Sequence, residues 1–233
     1  MCEVWGRLRA VRILLTGFEP FAGRGINPSW DAAQQLAGQA AGPARIDVLR
    51  VPVVWGTSVE TIAAELERAP AAGLIIGGLS YGRAVISVEA IAHAIGDLPW
   101  QTDNADRALS AARSDGDSGG PDALLATAPV RAIAAAINDA GIPAVVSWDG
   151  GTYVSNATLY GLLRRARERG LDLPTTYLHV PATPEMTTGT ATPSLPLALI
   201  VRAFRVACEV VATHRGSDAT LRRWPSALPP LPA

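Results

Sequence analysis

Short apolar runs recur along this chain, separated by stretches with helical spacing, and that alternation limits the fold more than any other feature of the sequence. The runs lie at 11–16, 46–54, 73–77, 85–91, 143–147 and 175–180, and several are nearly continuous in Val, Ile and Leu. Strands buried on both faces of a parallel sheet have that composition, because helices cover each side. Five helix-like segments complete the pattern. One spans 27–37, with Asn27 as cap and Pro28 in the first helical position. The second follows Thr57 or Ser58. An Ala-rich segment at 121–140 stops at Gly141 and Pro143. Residues 156–169 set Leu159, Leu162 and Leu163 against Arg164, Arg165, Arg167 and Glu168, and 195–214 is apolar on most sides. The expectation is a single-domain α/β/α sandwich over 1–215 with a mostly parallel, twisted sheet, followed by an extended Pro-rich tail at 216–233. Residues 102–120, rich in Asp, Ser, Ala and Gly, read as a loose loop of the length that tends to serve function.

Composition excludes several classes. With 48% hydrophobic and 18% charged side chains, the 233-residue chain is no disordered polymer. A net charge of -1 offers no basic excess for phosphate, which argues against nucleic acid as a partner. All 20 basic residues are Arg, so Schiff-base chemistry, pyridoxal phosphate anchoring and a Walker A loop are ruled out with lysine itself. Cys2 and Cys208 are too few and too far apart in sequence for a disulfide framework or a Cys-based zinc site. No metal or cofactor is expected. The opening residues lack the apolar core of a signal peptide and no run spans a bilayer, so the reading is a cytoplasmic protein with no membrane partner.

Four segments carry polar or aromatic side chains where this architecture places ligands. Phe18 and Phe21 bracket Glu19-Pro20 just after the first strand, the ligand side of an open α/β sheet, although core packing is the commoner fate of Phe. Glu89 interrupts an apolar alternation, and a buried carboxylate needs either an ion-pair partner such as Arg83 or a group to orient. Ser155 follows Gly150-Gly151-Thr152-Tyr153-Val154 at the opening of a helix, where a plain N-cap and a nucleophile beside backbone N–H groups look alike. His179 ends the run at 175–180. Together Glu89, Ser155 and His179 would supply orienter, nucleophile and base, the parts of an acyl-transfer triad.

At these same residues the chain resembles the pyroglutamyl peptidase I family, cysteine peptidases with an α/β/α sandwich fold. The resemblance runs from Arg12 to about Val211 through Thr16-Gly17-Phe18-Glu19-Pro20-Phe21, Asn27-Pro28-Ser29-Trp30, Val51-Pro52-Val53-Val54-Trp55, Gly82-Arg83, Gly151-Thr152-Tyr153-Val154 and His179-Val180-Pro181. It implies that Phe18 and Phe21 sandwich a pyroglutamyl ring, that Asn27 fixes a loop or polar edge, and that Tyr153 and Val154 line the pocket. It implies Glu89 and His179 as two members of a Glu-Cys-His triad, with Ser155 where the family carries cysteine. Ala90, Ala94 and Leu79 also depart from the family pattern. A small peptide or pyroglutamyl-like substrate follows from the resemblance, as does a homo-oligomer, a dimer or tetramer. Three readings stand: a hydrolase with Ser155 as nucleophile, a hydrolase of another small acyl or lactam substrate, and an impaired homologue that binds such a ligand or a protein. A deliberate Cys-to-Ser replacement to trap substrate would not explain Ala90, Ala94 and Leu79. If the triad reading holds, Ser155 and Glu89 should reach opposite nitrogens of His179, with Phe18 and Phe21 facing the same cavity.

Overall fold

The computed structural model describes residues 11–113 and 119–214. Cys2, the opening of the chain, the tail at 216–233 and part of the 102–120 segment lie outside the described residues. Eleven strands are present in chain order among them: β1 (Val11–Phe18), β2 (Ala40–Ala41), β3 (Ala44–Val51), β4 (Gly73–Leu79), β5 (Ile86–Glu89), β6 (Ile91–His93), β7 (Ile95–Gly96), β8 (Ala112–Arg113), β9 (Ala123–Leu125), β10 (Ala144–Ser147) and β11 (Thr175–Val180). Six helices alternate with them: α1 (Pro28–Gln35), α2 (Thr57–Arg68), α3 (Val130–Asp139), α4 (Val154–Glu168), α5 (Pro184–Thr187) and α6 (Leu197–Thr213).

Seven strands form the main sheet in the order β10-β5-β11-β4-β1-β3-β2. β1 runs parallel to β3 and β4, β4 to β11, and β5 to β10. Only β5 with β11 and β2 with β3 pair antiparallel in this sheet of described residues. The strand period of two divides the side chains between two cores. Ile13, Leu15, Ile75, Val88 and Leu178 meet α1, α3 and α6 on one face. Leu14, Leu74, Ile76 and Tyr177 meet α2 and α4 on the other, where Phe18 and Val154 also pack. The expected single α/β layer fold is the observed one.

The first core packs closely enough to dictate a residue type. A Cβ on Gly77 would collide with the Phe204 ring, so sheet and α6 approach to a distance that only glycine allows. Phe204 itself is fully buried. Phe204→Ala should therefore cost about 4 kcal/mol and lower the melting temperature by roughly 10 °C. Thermal unfolding checks this, and a loss below about 1 kcal/mol would mean that the core refills the space.

Four of the segments differ from the sequence reading. The segment 121–140 is not one helix, because Ala123–Leu125 pairs with Ile91–His93 and α3 starts only after Pro129. Between them the N–H of Ala126 donates to the Ala90 carbonyl, and those of Thr127 and Ala128 donate to that of Thr175. Those bonds tie the stretch to the sheet instead of to its own helix. The run at 85–91 divides at Ala90 into β5 and β6, while the run at 46–54 stops at Val51. Finally, α4 begins at Val154 with Tyr153 as its N-cap, which places Ser155 inside the first turn and not at the cap. Among the described residues no helix is long and apolar enough to cross a membrane.

Candidate active site

β5 and β11 are antiparallel neighbours, with Tyr177 opposite Glu89 and His179 opposite Ser87. Alternation puts Tyr177 and His179 on one side of β11, the side covered by α2 and α4. His179 Nδ1 hydrogen-bonds Glu89 Oε1 at 2.7 Å, with Glu89 only 1% exposed. A carboxylate can only accept, so Nδ1 donates, and in the neutral imidazole that leaves the lone pair on Nε2. The same Oε1 accepts from the Arg83 guanidinium at 3.1 Å, and Arg83 also donates to the Asp149 carbonyl at 2.9 Å. Of the alternatives weighed for Glu89 the Arg83 ion pair is present, and the same oxygen also fixes the His179 ring. Glu89 Oε2 is buried with no partner.

Ser155 arrives from the other direction. β10 ends at Ser147, Asp149 Oδ1 accepts the Gly151 N–H at 2.8 Å, and Gly151 turns the chain at φ +77. That left-handed conformation suits glycine and throws the chain directly into α4. Ser155 thus sits among the N–H groups of a first helical turn, which have no partner inside the helix. A cavity opens there, lined by Phe18, Phe21, Val53, Gly78, Leu79, Tyr153, Val154, Ser155 and Tyr177. The Tyr177 hydroxyl lies against Gly78, where a Cβ would overlap it, and has the Ser155 side chain as its hydrogen-bonding neighbour. Burial, with the nearby Glu89 charge adding to it, holds the Tyr177 phenol well above its ordinary pKa. The Tyr177 and His179 ring centroids are 4.6 Å apart. Of the two contacts expected at His179, the structure contains the one to Glu89. Among the described residues, no hydrogen bond joins Ser155 to His179, and Tyr177 is the serine's polar neighbour instead.

Phe18 is buried against Tyr177, with centroids 6.2 Å apart, whereas Phe21 stands nearer solvent and packs on Tyr153 at 6.0 Å. Both line the cavity. Arg24 covers its outer rim, with its guanidinium carbon 5.7 Å from the Phe21 ring centre and 4.6 Å from that of Tyr81. Asn27 is not in the wall. Its Oδ1 accepts from the Ser29 N–H and hydroxyl, and its Nδ2 donates to the Glu19 carbonyl at 2.9 Å, so it fixes the loop between β1 and α1. Ala90 and Ala94 are buried in the body of the protein, and Leu79 alone of the three departures reaches the cavity.

Sequence reasoning missed the clamp that supports this wall. Asn104 donates to Glu19 Oε1 at 2.7 Å and to the Pro20 carbonyl at 2.9 Å, binding the segment after β7 to the loop carrying Phe21. Asp103, 3% exposed, accepts N–H groups of Trp55, Ala105 and Arg107, each at 2.9 Å. This half of the 102–120 segment is therefore pinned, not loose, and the Asx-rich composition that suggested a loop was the signal of its own anchoring. Burial works to raise the Asp103 pKa, but those three N–H donors and the Arg107 charge overcome it and leave the carboxyl below its usual value. A depressed folded pKa contributes stability above the unfolded value and loses it as pH falls through the folded one. Asp103→Asn should therefore cost about 2 kcal/mol near neutral pH, with the gap closing below roughly pH 4. Urea unfolding across pH measures this, and a pH-independent gap would refute it.

Cys208 is no alternative nucleophile, because it is fully buried in α6 on the opposite face and burial pushes its thiol pKa far up. Among the described residues no cluster of His, Cys, Asp and Glu could hold a metal ion. A carboxylate-oriented imidazole on the strand that also supplies Tyr177 to a serine-bearing cavity is an arrangement that acyl-transfer chemistry can use. Comparison with known proteins specifies it further. The sequence pattern of the pyroglutamyl peptidase family matches residues 11–214. The pyrrolidone-carboxylate peptidase of Erwinia tasmaniensis is 38% identical over 205 residues, 85% of this chain and 92% of its own length. That of Bacillus velezensis is 32% identical over 209 residues, covering 90% and 96%. The crystal structure of Bacillus amyloliquefaciens pyroglutamyl peptidase I superposes with a TM-score of 0.84 at 33% identity, covering 88% of this chain and 98% of that one. The chain belongs to the pyroglutamyl peptidase family.

Proposed function

We propose that this protein removes N-terminal pyroglutamyl residues from small peptides through an acyl-enzyme on Ser155. The observation that carries the reading is the buried Glu89–His179 pair in the layer that also holds the serine-bearing cavity. In this mechanism the pyroglutamyl ring lies between Phe18 and Phe21, bounded by Tyr153 and Val154. The Ser155 hydroxyl turns from Tyr177 to His179 Nε2 as substrate binds, a tightening common when a resting site becomes a Michaelis complex. His179 takes the proton while Oγ attacks the scissile carbonyl, and the Glu89 carboxylate stabilises the imidazolium. Charge on the carbonyl oxygen is met by N–H groups of the first α4 turn and by the positive end of its dipole. Proton return to the departing amine breaks the C–N bond, and water then releases pyroglutamate by the same route. Arg83 holds the Glu89 carboxyl in place without touching substrate.

The decisive experiment is hydrolysis of a pyroglutamyl coumarylamide by the purified protein. Turnover that saturates with substrate supports the reading, and none above buffer overturns it. A second reading, retention of a pyroglutamyl-like ligand without turnover, draws support from the missing Ser155–His179 bond. Tight binding of pyroglutamate by a protein that hydrolyses nothing would establish that alternative.

A further inference from the structure

Apart from Ser155, the cavity wall offers one side-chain polar group with a proton to spare. Phe18, Phe21, Val53, Leu79 and Val154 are apolar, and Gly78 contributes only backbone. The Tyr153 hydroxyl is spent on the Thr102 carbonyl at 2.7 Å. Tyr177 remains, 2% exposed, brought to the floor of the cavity by β11 and accommodated there because residue 78 has no side chain. The Ser155 side chain is the phenol's hydrogen-bonding neighbour, and between two hydroxyls either can donate. Among the described residues no carbonyl or carboxylate accepts the phenol proton, in contrast to that of Tyr153, so it is free to turn to a ligand. Burial and the Glu89 charge keep it in place throughout the physiological pH range.

We infer that Tyr177 is a specificity-determining residue whose hydroxyl donates a hydrogen bond to the ring carbonyl of the pyroglutamyl group. The inference rests on the proposed hydrolase reading for its substrate, and on the cavity lining for its geometry. A five-membered lactam between two aromatic rings is held mainly by apolar contact, and that contact is blind to the carbonyl. Prolyl substrates have the same ring without it. A buried donor that finds its acceptor in one ligand and none in the other discriminates far more strongly than a methylene's worth of shape. The group touches substrate, so its removal should act on one class of substrate and not on another.

The test compares the wild-type protein with Tyr177→Phe, a change that removes one oxygen and preserves the ring. With pyroglutamyl and prolyl coumarylamides, the wild type is expected to prefer the pyroglutamyl substrate. Tyr177→Phe should lower kcat/KM for that substrate roughly 30-fold and leave the prolyl value within about threefold. Equal loss on both substrates, no loss, or a gain from a widened cavity would each overturn the inference. Equilibrium binding of pyroglutamate against cyclopentanecarboxylate, an equal-sized ring lacking the lactam, reads the same contact without turnover. A preference for pyroglutamate that disappears in Tyr177→Phe upholds the inference even if nothing is hydrolysed, in which case only the hydrolase reading falls. Turnover in both proteins with unchanged selectivity leaves that reading standing and removes Tyr177 from it. Circular dichroism and thermal melting of the variant confirm that a change in selectivity is not a change in fold.

Discussion

Ser155→Ala is expected to lower kcat on a pyroglutamyl amide by about ten-thousand-fold, while Ser155→Cys retains turnover. In the proposed mechanism the first figure follows from deleting a nucleophile whose partners act as a unit, leaving only binding and the helix N-terminus to assist water. The second follows from chemistry at the same position. A thiol beside an imidazole can exist as thiolate before substrate arrives, whereas a serine hydroxyl gives up its proton only during attack. Ser155→Cys should therefore also react with iodoacetamide, and the wild type should not do so at this position. Single-turnover kinetics with mass spectrometry of the acylated peptide would locate the covalent bond. An Ala variant that kept wild-type activity would remove Ser155 from the mechanism altogether.

Glu89→Gln is the second large effect, expected at roughly a thousandfold in kcat with little change in KM. The geometry separates function from stability here in an unusual way. Glu89 is buried, its Oε2 has no partner, and Oε1 serves both His179 and Arg83. A neutral amide of the same shape spares the folded state a buried charge, and the Arg83 side chain is 30% exposed and keeps its bond to the Asp149 carbonyl. The variant should therefore melt at or above the wild-type temperature while losing activity. Loss of both together would mean that Glu89 serves the fold first and the chemistry second.

Most of the layer structure was legible in the sequence because each strand carries its own evidence. The run at 175–180 is rich in β-branched and aromatic residues, bounded by Pro174 and Pro181, and coincides with β11. The segment at 121–140 misled for a physical reason. Alanine favours helix when neighbours are indifferent, but Ala126, Thr127 and Ala128 donate across to the carbonyls of Ala90 and Thr175, which no local pattern reveals. Within the candidate site, Glu89 stood out as a carboxylate in an apolar alternation, and Phe18 and Phe21 as aromatics where a strand ends. Tyr177 did not stand out, since a tyrosine within a strand is ordinary. Its significance depends on Gly78 in the neighbouring strand and on Ser155 in a distant helix, a meeting that only three dimensions disclose. The Asp103–Asn104 clamp was hidden similarly, by side chains that look like loop residues until their acceptors and donors are known.

The position of β11 between β4 and β5 bears on how the protein comes into being on the ribosome. Strands β1, β3 and β4 can pair as they emerge, and β5 with β10 can form a second ribbon, yet nothing joins the two until residues 175–180 have been made. The strand that bridges them carries both Tyr177 and His179. A nascent chain halted before this point would hold two unjoined pieces of sheet and an open cavity floor, with exposed edges that invite chaperones. The joining of the two pieces of sheet and the arrival of His179 beside Glu89 are thus one event.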